Sequence, residues 1–473
     1  MLLTEISKHI KCNKIYGLDK KEVNFNYITS NSKKVRVSSI FAISNKTRFF
    51  KKYTQEAISK GAVGIITDKY IGNFLITQFV VSNIDQSTYK LLSILKPRKP
   101  KKTIALTGTN GKTSVVWFIS QICSLNQVPN KTYGTLGYYI NSQKKNNSTL
   151  TTPEFEELYQ TAYSRKKNIY NYIFEVSSHS LVQDRLKTFP INVAALTNIT
   201  QDHLDYHKSF KNYKKAKYKL FIKKLNVDGY AILNDNLNNI KNLKNKLKDK
   251  KIITYGKNSS DINLFIKNKI LNLKFFEKKY SINLNKFSNI ELQNLSCAIA
   301  CCFCININIK KITNSLKKIT SPPGRFEKVN KDYNIYIDYA HTPDALKKVL
   351  ISKTINNNKP NLIFGCGGNR DKEKRSKMGI IANKYANKVY ITDDNPRNED
   401  PKKIRKSILM KCKKGIEIAD RKKAIEIGIK ELNKEETLII AGKGHEKIQI
   451  INNSFKKFSD LNIAKKAIRK IYE

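Results

Sequence analysis

Acidic residues are scarce in this sequence: 38 Asp and Glu stand against 89 Lys and Arg, a formal net charge of +51 over 473 residues. Such an excess raises the question of a nucleic-acid partner. The lysines, however, are spread along the whole chain, often beside asparagines, as in KNLKNKLKDKK at 241–251. Diffuse charge positions nothing, so it is read as compositional drift: weak, salt-sensitive RNA binding, and no specific nucleic-acid partner. Long apolar runs are missing as well. None approaches the ~18 residues of a membrane span, and MLLTEISKHIKCNK at the N-terminus lacks a signal peptide's apolar core and cleavage site. A cytoplasmic protein with no membrane partner is expected. Of the eight cysteines, four fall in CAIACCFC (297–304), where Cys301 and Cys304 make a C-x-x-C. No second Cys or Cys/His pair lies at zinc-ribbon spacing, so these read as small hydrophobes of a buried helix. Internal repeats are absent too.

What is present is α/β patterning long enough for about three domains. Before the proline-broken, basic segment LKPRKPKKT (95–103) lie the apolar runs SSIFAIS, AVGIITD and FLITQFVVS, with the helix-like KKYTQEAISKG between the first two. After it come TIAL, YIFEV, VAALTNI, YAILN and KIITYG, alternating with helical stretches, the pattern of a parallel sheet covered on both faces. A second boundary falls near SPPGRFE (321–327). The expected domains are therefore 1–98, 99–324 and 325–473. In the last, NIYID, NLIF, VYIT and TLIIA each run into a polar loop, and ligands of open α/β sheets bind beyond the carboxyl ends of strands.

The most specific chemistry sits in TIALTGTNGKTSVV (103–116). A phosphate loop needs G-x-x-x-x-G-K-[ST] between strand and helix, with inward N–H groups, a lysine for the outer phosphates and a hydroxyl for Mg²⁺. Gly111, Lys112 and Thr113 supply the end of that pattern, but the position five before Gly111 is Leu106, and the nearest glycine is Gly108. On residues alone, a plain glycine turn competes with a nucleotide loop of altered spacing. The histidines favour a site. Five of the six, at 179, 203, 207, 341 and 445, lie at strand ends or just after them, in polar company such as Glu175, Ser177, Asp202 and Asp205.

In order along the chain, TGTNGKT, EVSSH, DHLDYH followed by Lys217, GRFE, DYAHTPDAL, GCGGNRDKEKR, DDNPR and AGKGHE resemble the Mur ligase family, and within it the members that add diaminopimelate as third peptide residue. The resemblance is strong in the central and C-terminal thirds and weak in the first. It implies a three-domain α/β architecture with a central P-loop parallel-sheet ATPase domain and a C-terminal Rossmann-like domain. It implies an ATP- and Mg²⁺-dependent, amide-forming ligase of peptidoglycan biosynthesis. Its small-molecule substrates would be UDP-MurNAc-L-Ala-D-Glu, meso-diaminopimelate and ATP, and a monomer is expected. TGTNGKT is the family's own form of the loop.

By resemblance, Gly108, Thr109, Asn110, Gly111, Lys112, Thr113 and Ser114 bind ATP together with Asn294, Arg325, Asp338 and His341. Lys112, Glu175, His203 and Lys217 are the implied catalytic group, and Thr113, Glu175, His203 and carbamylated Lys217 the implied metal ligands. Carbamate formation needs a neutral amine, and flanking Lys211, Lys214, Lys215 and Lys219 are expected to lower the Lys217 pKa by repulsion. The UDP-muramyl dipeptide falls to Ser30, Ser32, Thr47, Arg48, Phe49, Leu150, Thr151, Thr152, Ser177, Gln183 and Arg185. Diaminopimelate falls to Arg370, Asp394, Asn395, Pro396, Arg397, Gly442 and Glu446, since an arginine fork matches the distal carboxylate that lysine lacks. The chain departs from the family at Asn31 and Lys33 (usually D-S-R), at Lys46 (glycine), at Leu150 (asparagine) and at Asn369 (aspartate).

Three rivals remain: a lysine-adding relative, a folylpolyglutamate synthetase-like ligase and a nucleic-acid-dependent P-loop ATPase. The DNPR motif argues against the first, and with the segment before residue 99 against the second. The third lacks an arginine finger, a Walker-B aspartate pair and a basic groove interleaved with aromatics.

Overall fold

The computed structural model describes residues 1–17, 22–165, 169–238, 240–284, 286–354, 358–452 and 454–472. The chain divides into two compact units, one of Met1–Thr103, Val128–Tyr172 and Gln183–Pro190, the other of Ile104–Gln127, Ile173–Val182 and Ile191–Glu473.

In the first unit the three expected strands form Ser39–Ala42, Ala62–Thr67 and Thr77–Val80, joined by Tyr27–Thr29 at one edge and by antiparallel Lys14–Tyr16 at the other. Their β-branched and aromatic side chains bury Phe41, Ile43 and Ile65 against Ala57 of helix Phe50–Ser59. Helix Ile84–Leu95 starts where the Asn83 side chain accepts from Gln86 N (2.9 Å). A meander of Asn130–Gly134, Gly137–Ile140 and Gln143–Asn146 also belongs here.

The second unit carries two sheets. In one, Thr103–Thr107 lies between Ile191–Leu196 and Asn171–Glu175, with Leu225–Asn234 and Lys251–Tyr255 following in parallel. Ile262–Lys267 joins it in parallel, and Ile270–Phe275 and Lys278–Ile282 extend it antiparallel. Helix Asn289–Cys304 opens with a capping box between Ser288 and Glu291 and buries Cys297, Cys301, Cys302 and Cys304 as reduced thiols. The other sheet runs Glu327–Lys328, Ile335–Asp338, Leu438–Ala441, Asn361–Phe364, Val389–Ile391, Gly415–Glu417, parallel after the first pair. Alternation by two puts Leu362 and Phe364 among helices Pro343–Ser352, Glu373–Tyr385 and Pro401–Leu409, and Ile363 among Arg421–Lys430 and Asp460–Tyr472. Both sheets thus aim polar loops beyond their strands' carboxyl ends. Among the described residues no helix is long and apolar enough to cross a membrane.

Candidate active site around the Gly108–Ser114 loop

Strand Thr103–Thr107 delivers the chain into the loop, and helix Lys112–Leu125 leaves it. The glycines are required there. Gly108 has φ +152° and a Cβ on it would lie 1.8 Å from Thr197 Oγ1; Gly111 has φ +86° and would meet Asn294 Oδ1 at 2.4 Å. Asn198 anchors the loop, its carbonyl accepting from Thr109 N and its side chain from Asn110 N, both at 2.9 Å. The amides that open the helix have no intrahelical acceptor and so form an anion-binding end.

Functional groups converge on this loop. Lys112 Nζ donates to the carbonyls of Gly108 (2.8 Å) and Thr109 (2.9 Å), closing over the loop from within. Thr113 Oγ1 donates to Glu175 Oε1 at 3.0 Å, and both residues are buried. Lys217, on helix Phe210–Lys219, is 1 % exposed and donates to the Gly108 carbonyl at 2.8 Å. Burial lowers the pKa of both lysines; Arg325 adds to this at Lys112, and Lys112 adds to it at Lys217. That corrects the expectation for Lys217. Lys211 and Lys215 are exposed and Lys214 and Lys219 partly so, where water screens them; the dry pocket and Lys112 lower the pKa instead. His203 sits in left-handed backbone (φ 53°), and burial pushes its pKa down to about 3, which leaves a neutral imidazole. His179 packs edge-on to it at 4.8 Å.

Asn110, Gly111, Ser114, Asn294, Arg325 and Asp338 line one cleft beside the loop, with Tyr255 and Tyr339 among its walls. The Arg325 guanidinium lies 4.0 Å over the Tyr339 ring. Asp338 accepts from Phe326 N (2.8 Å) and Ala340 N (2.7 Å), and burial raises its carboxyl pKa to about 6. His341 is turned differently, its Nδ1 bonded to the Tyr339 carbonyl at 2.9 Å, so it is not among the residues lining the cleft. Among the described residues no three His, Cys, Asp or Glu groups cluster as a metal site. The donors that fit a hard cation are the Thr113 hydroxyl and the Glu175 carboxylate, with neutral His203 as a nitrogen donor.

The diaminopimelate candidates lie beyond the ends of Asn361–Phe364, Val389–Ile391 and Leu438–Ala441. Asn395 Nδ2 donates to Glu446 Oε2 (2.9 Å), Gly442 N to the Asp338 carbonyl (3.0 Å), and Pro396 closes a turn whose carbonyl accepts from Glu399 N (3.1 Å). A Cβ on Gly442 would lie 2.8 Å from Asp394 Oδ2. Arg397 holds φ 54° and donates through Nη1 to the Gly368 carbonyl (2.9 Å). Burial and the neighbouring, exposed Arg370 lower its pKa, while Asp394 and Glu446 act the other way. Asn369, the departure from aspartate, adopts φ 52°, a conformation asparagine tolerates, and its side chain accepts from Asn398 N (3.2 Å).

In the first unit, Ser30, Ser32 and Thr47 line one concavity with Lys46, Asp68 and Lys187; Arg48 and Phe49 are exposed beside each other, and neither lines it. Ser30 Oγ donates to Glu156 (3.0 Å) and Ser32 Oγ to Glu56 (2.7 Å). Asn31 does the capping work of the usual aspartate, accepting from Lys33 N at 3.0 Å. Arg185 bonds Gln183 (2.8 Å) and the Thr152 carbonyl (3.0 Å), and Thr151 meets Thr135 at 3.4 Å. The Leu150 carbonyl accepts from Ser148. Ser177, in the second unit, lies just after strand Asn171–Glu175, its hydroxyl accepting from Ser180 N at 3.1 Å. Sequence reasoning missed Asn198 and Tyr213, whose hydroxyl bonds Thr109 Oγ1 at 2.9 Å; both lie beside the family motifs, and only their tertiary partners reveal them.

Residues 106–302 match the Mur ligase middle domain, and residues 324–444 the Mur ligase glutamate ligase domain. The UDP-N-acetylmuramoyl-L-alanyl-D-glutamate–2,6-diaminopimelate ligase of Rickettsia bellii (strain RML369-C) is 40 % identical over 459 residues, spanning 93 % of this chain and 95 % of that protein. A solved structure of a ligase with the same name aligns with TM-score 0.61 at 27 % identity, covering 100 % of this chain and 99 % of the other. The MurF ligase from Thermotoga maritima in complex with ADP shares the fold, with TM-score 0.66 at 16 % identity over 96 % of this chain and 98 % of its own.

Proposed function

The chain belongs to the Mur ligase family, and on that premise we propose that it joins meso-diaminopimelate to UDP-N-acetylmuramoyl-L-alanyl-D-glutamate at the expense of ATP. The observation that carries this reading is the convergence of Lys112, Thr113, Glu175 and buried Lys217 on the Gly108–Ser114 loop. A carboxylate is a poor acyl donor. The D-glutamate γ-carboxylate attacks the γ-phosphate, giving an acyl phosphate and ADP; the amine of the incoming amino acid then displaces phosphate and loses a proton. Two anions must meet in the first step, so the site's main task is to position and neutralise.

Lys112 would leave its loop carbonyls for the outer phosphates, and the helix amides would hold them from beneath. Thr113, Glu175, His203 and a carbamate on Lys217 would hold Mg²⁺, which offsets phosphate charge when bound. Asn294, Arg325 and Asp338 border the nucleotide in the adjoining cleft, and His341 follows Tyr339 and Ala340 of its wall. Ser30, Ser32 and Thr47, with Thr151, Thr152, Gln183 and Arg185, all of the first unit, take the UDP-muramyl dipeptide; Arg370 and Arg397 take the amino acid's carboxylates, and Gly442 and Glu446 its distal ammonium end. Phosphate release from ATP tests this. It should require both UDP-muramyl dipeptide and meso-diaminopimelate, with L-lysine a poor replacement. Turnover driven by RNA or DNA, or by L-lysine as well as by diaminopimelate, would overturn the assignment.

A further inference from the structure

Lys443, in the loop after strand Leu438–Ala441, is 0 % exposed, and its side chain pairs with the Glu446 carboxylate. An ammonium has three N–H donors. Here all three are committed: to Asn395 Oδ1 (3.0 Å), Glu446 Oε2 (3.0 Å) and the Ile448 carbonyl (2.8 Å). With no donor left and no exposed atom, the residue cannot touch a ligand itself. What it holds, however, are two of the side chains assigned to the amino-acid pocket.

The network has a direction. Asn395 can be flipped about its amide without changing shape, and only partners decide which end is oxygen. Lys443 Nζ and Ile450 N (3.0 Å) both demand the oxygen, which forces Nδ2 toward Glu446 Oε2 at 2.9 Å. Glu446 is thereby fixed through one oxygen by two donors, and Oε1 takes no partner among the described residues. The same hairpin, Ile448–Ile451 with Ser454–Lys457, accepts from Arg397 N at Ile450 O (3.0 Å) and donates from Asn452 N to Arg397 O (2.9 Å). Lys443 therefore links the hairpin to both ends of the pocket, the Arg397 side and the Glu446 side.

We infer that Lys443 is a positioning residue for amino-acid selection: its ammonium sets the Asn395 amide and the Glu446 carboxylate in the one arrangement that receives the distal ammonium and carboxylate of the incoming diamino acid. The inference rests on the ligase reading given above. Lys443→Met and Lys443→Gln test it in the full-length protein. KM for meso-diaminopimelate should rise about tenfold to a hundredfold, the span of one or two charge-assisted hydrogen bonds, with KM for ATP and for the UDP substrate within about twofold. In a Glu446→Gln background the added effect of Lys443→Met should fall below about threefold, because the two act through one another. Variants in which every KM moves together, effects that multiply fully with Glu446→Gln, or two variants that both fail to fold would mark a general structural role and overturn the inference. Wild-type turnover indifferent to diaminopimelate would sink the ligase reading, and this inference with it.

Discussion

Single residues decide whether the loop can hold phosphate. Gly108→Ala puts a methyl group where Thr197 Oγ1 stands, 1.8 Å away, so the backbone that carries the Lys112 and Lys217 acceptors must move. Activity should drop by about a hundredfold or more, with ATP affinity falling in parallel by equilibrium binding; unchanged affinity would show that the loop is not the phosphate cradle. Lys217 has a different signature. Its pKa is lowered in the fold, so between that value and the ordinary one near 10.4 the unfolded chain binds more protons. Neutralising that amine costs stability at low pH, and the cost fades as pH rises toward 10.4. In CO₂-free buffer, Lys217→Met should therefore unfold at a higher temperature than wild type at pH 7, the gap closing as pH rises, while activity is lost. With CO₂ present, intact-mass measurement of active wild-type protein should show the carbamate on Lys217. An unmodified lysine in fully active enzyme would remove that role.

At the scale of elements, the parallel strands were legible because apolar runs bounded by polar loops have few other readings. The antiparallel extension at 262–282 was not. Its outward positions are rich in Lys and Asn, which blurs the alternation of a strand, and its first turn places Asn268 (φ 51°) and Lys269 (φ 61°) in left-handed backbone without the glycine that normally signals such a hairpin. The candidate residues stood out for the opposite reason: strand ends concentrate histidine, carboxylate and glycine within a few residues of each other. What stayed hidden were their supports, Asn198, Tyr213 and Lys443, since a buried partner far along the chain leaves no local pattern. The C-terminal helix shows the same. Asp460, at its first turn, pairs bidentately with Arg421 (2.8 Å twice), both 0 % exposed at the side chain, and Arg421 also donates to the Ala441 carbonyl (2.9 Å). Asp460→Asn leaves a buried, half-paired guanidinium and should cost about 3 kcal/mol by urea unfolding, within the range for breaking one side of a buried pair. Arg421→Met with Asp460→Leu should cost less than the single change; if it costs more, the pair itself stabilises the helix.

For the whole molecule the largest electrostatic feature is a charge of +51, which no local network balances. Self-repulsion on that scale opposes the compact state, and salt screens it over a Debye length that shrinks from about 30 Å at 0.01 M to about 10 Å at 0.1 M. The protein should therefore gain several degrees in melting temperature between about 0.02 M and 0.5 M sodium chloride, in the direction opposite to a fold held by surface ion pairs. Anion capture by the phosphate loop could produce a similar gain, and the two causes separate cleanly. Changing the exposed Lys241, Lys246 and Lys248 to Glu lowers the charge without altering a loop residue, so that variant should melt higher at low salt and gain less from added salt. If instead its salt response equals that of wild type while Gly108→Ala abolishes the response, the stabilisation belongs to the loop, and the excess charge carries little of the molecule's stability.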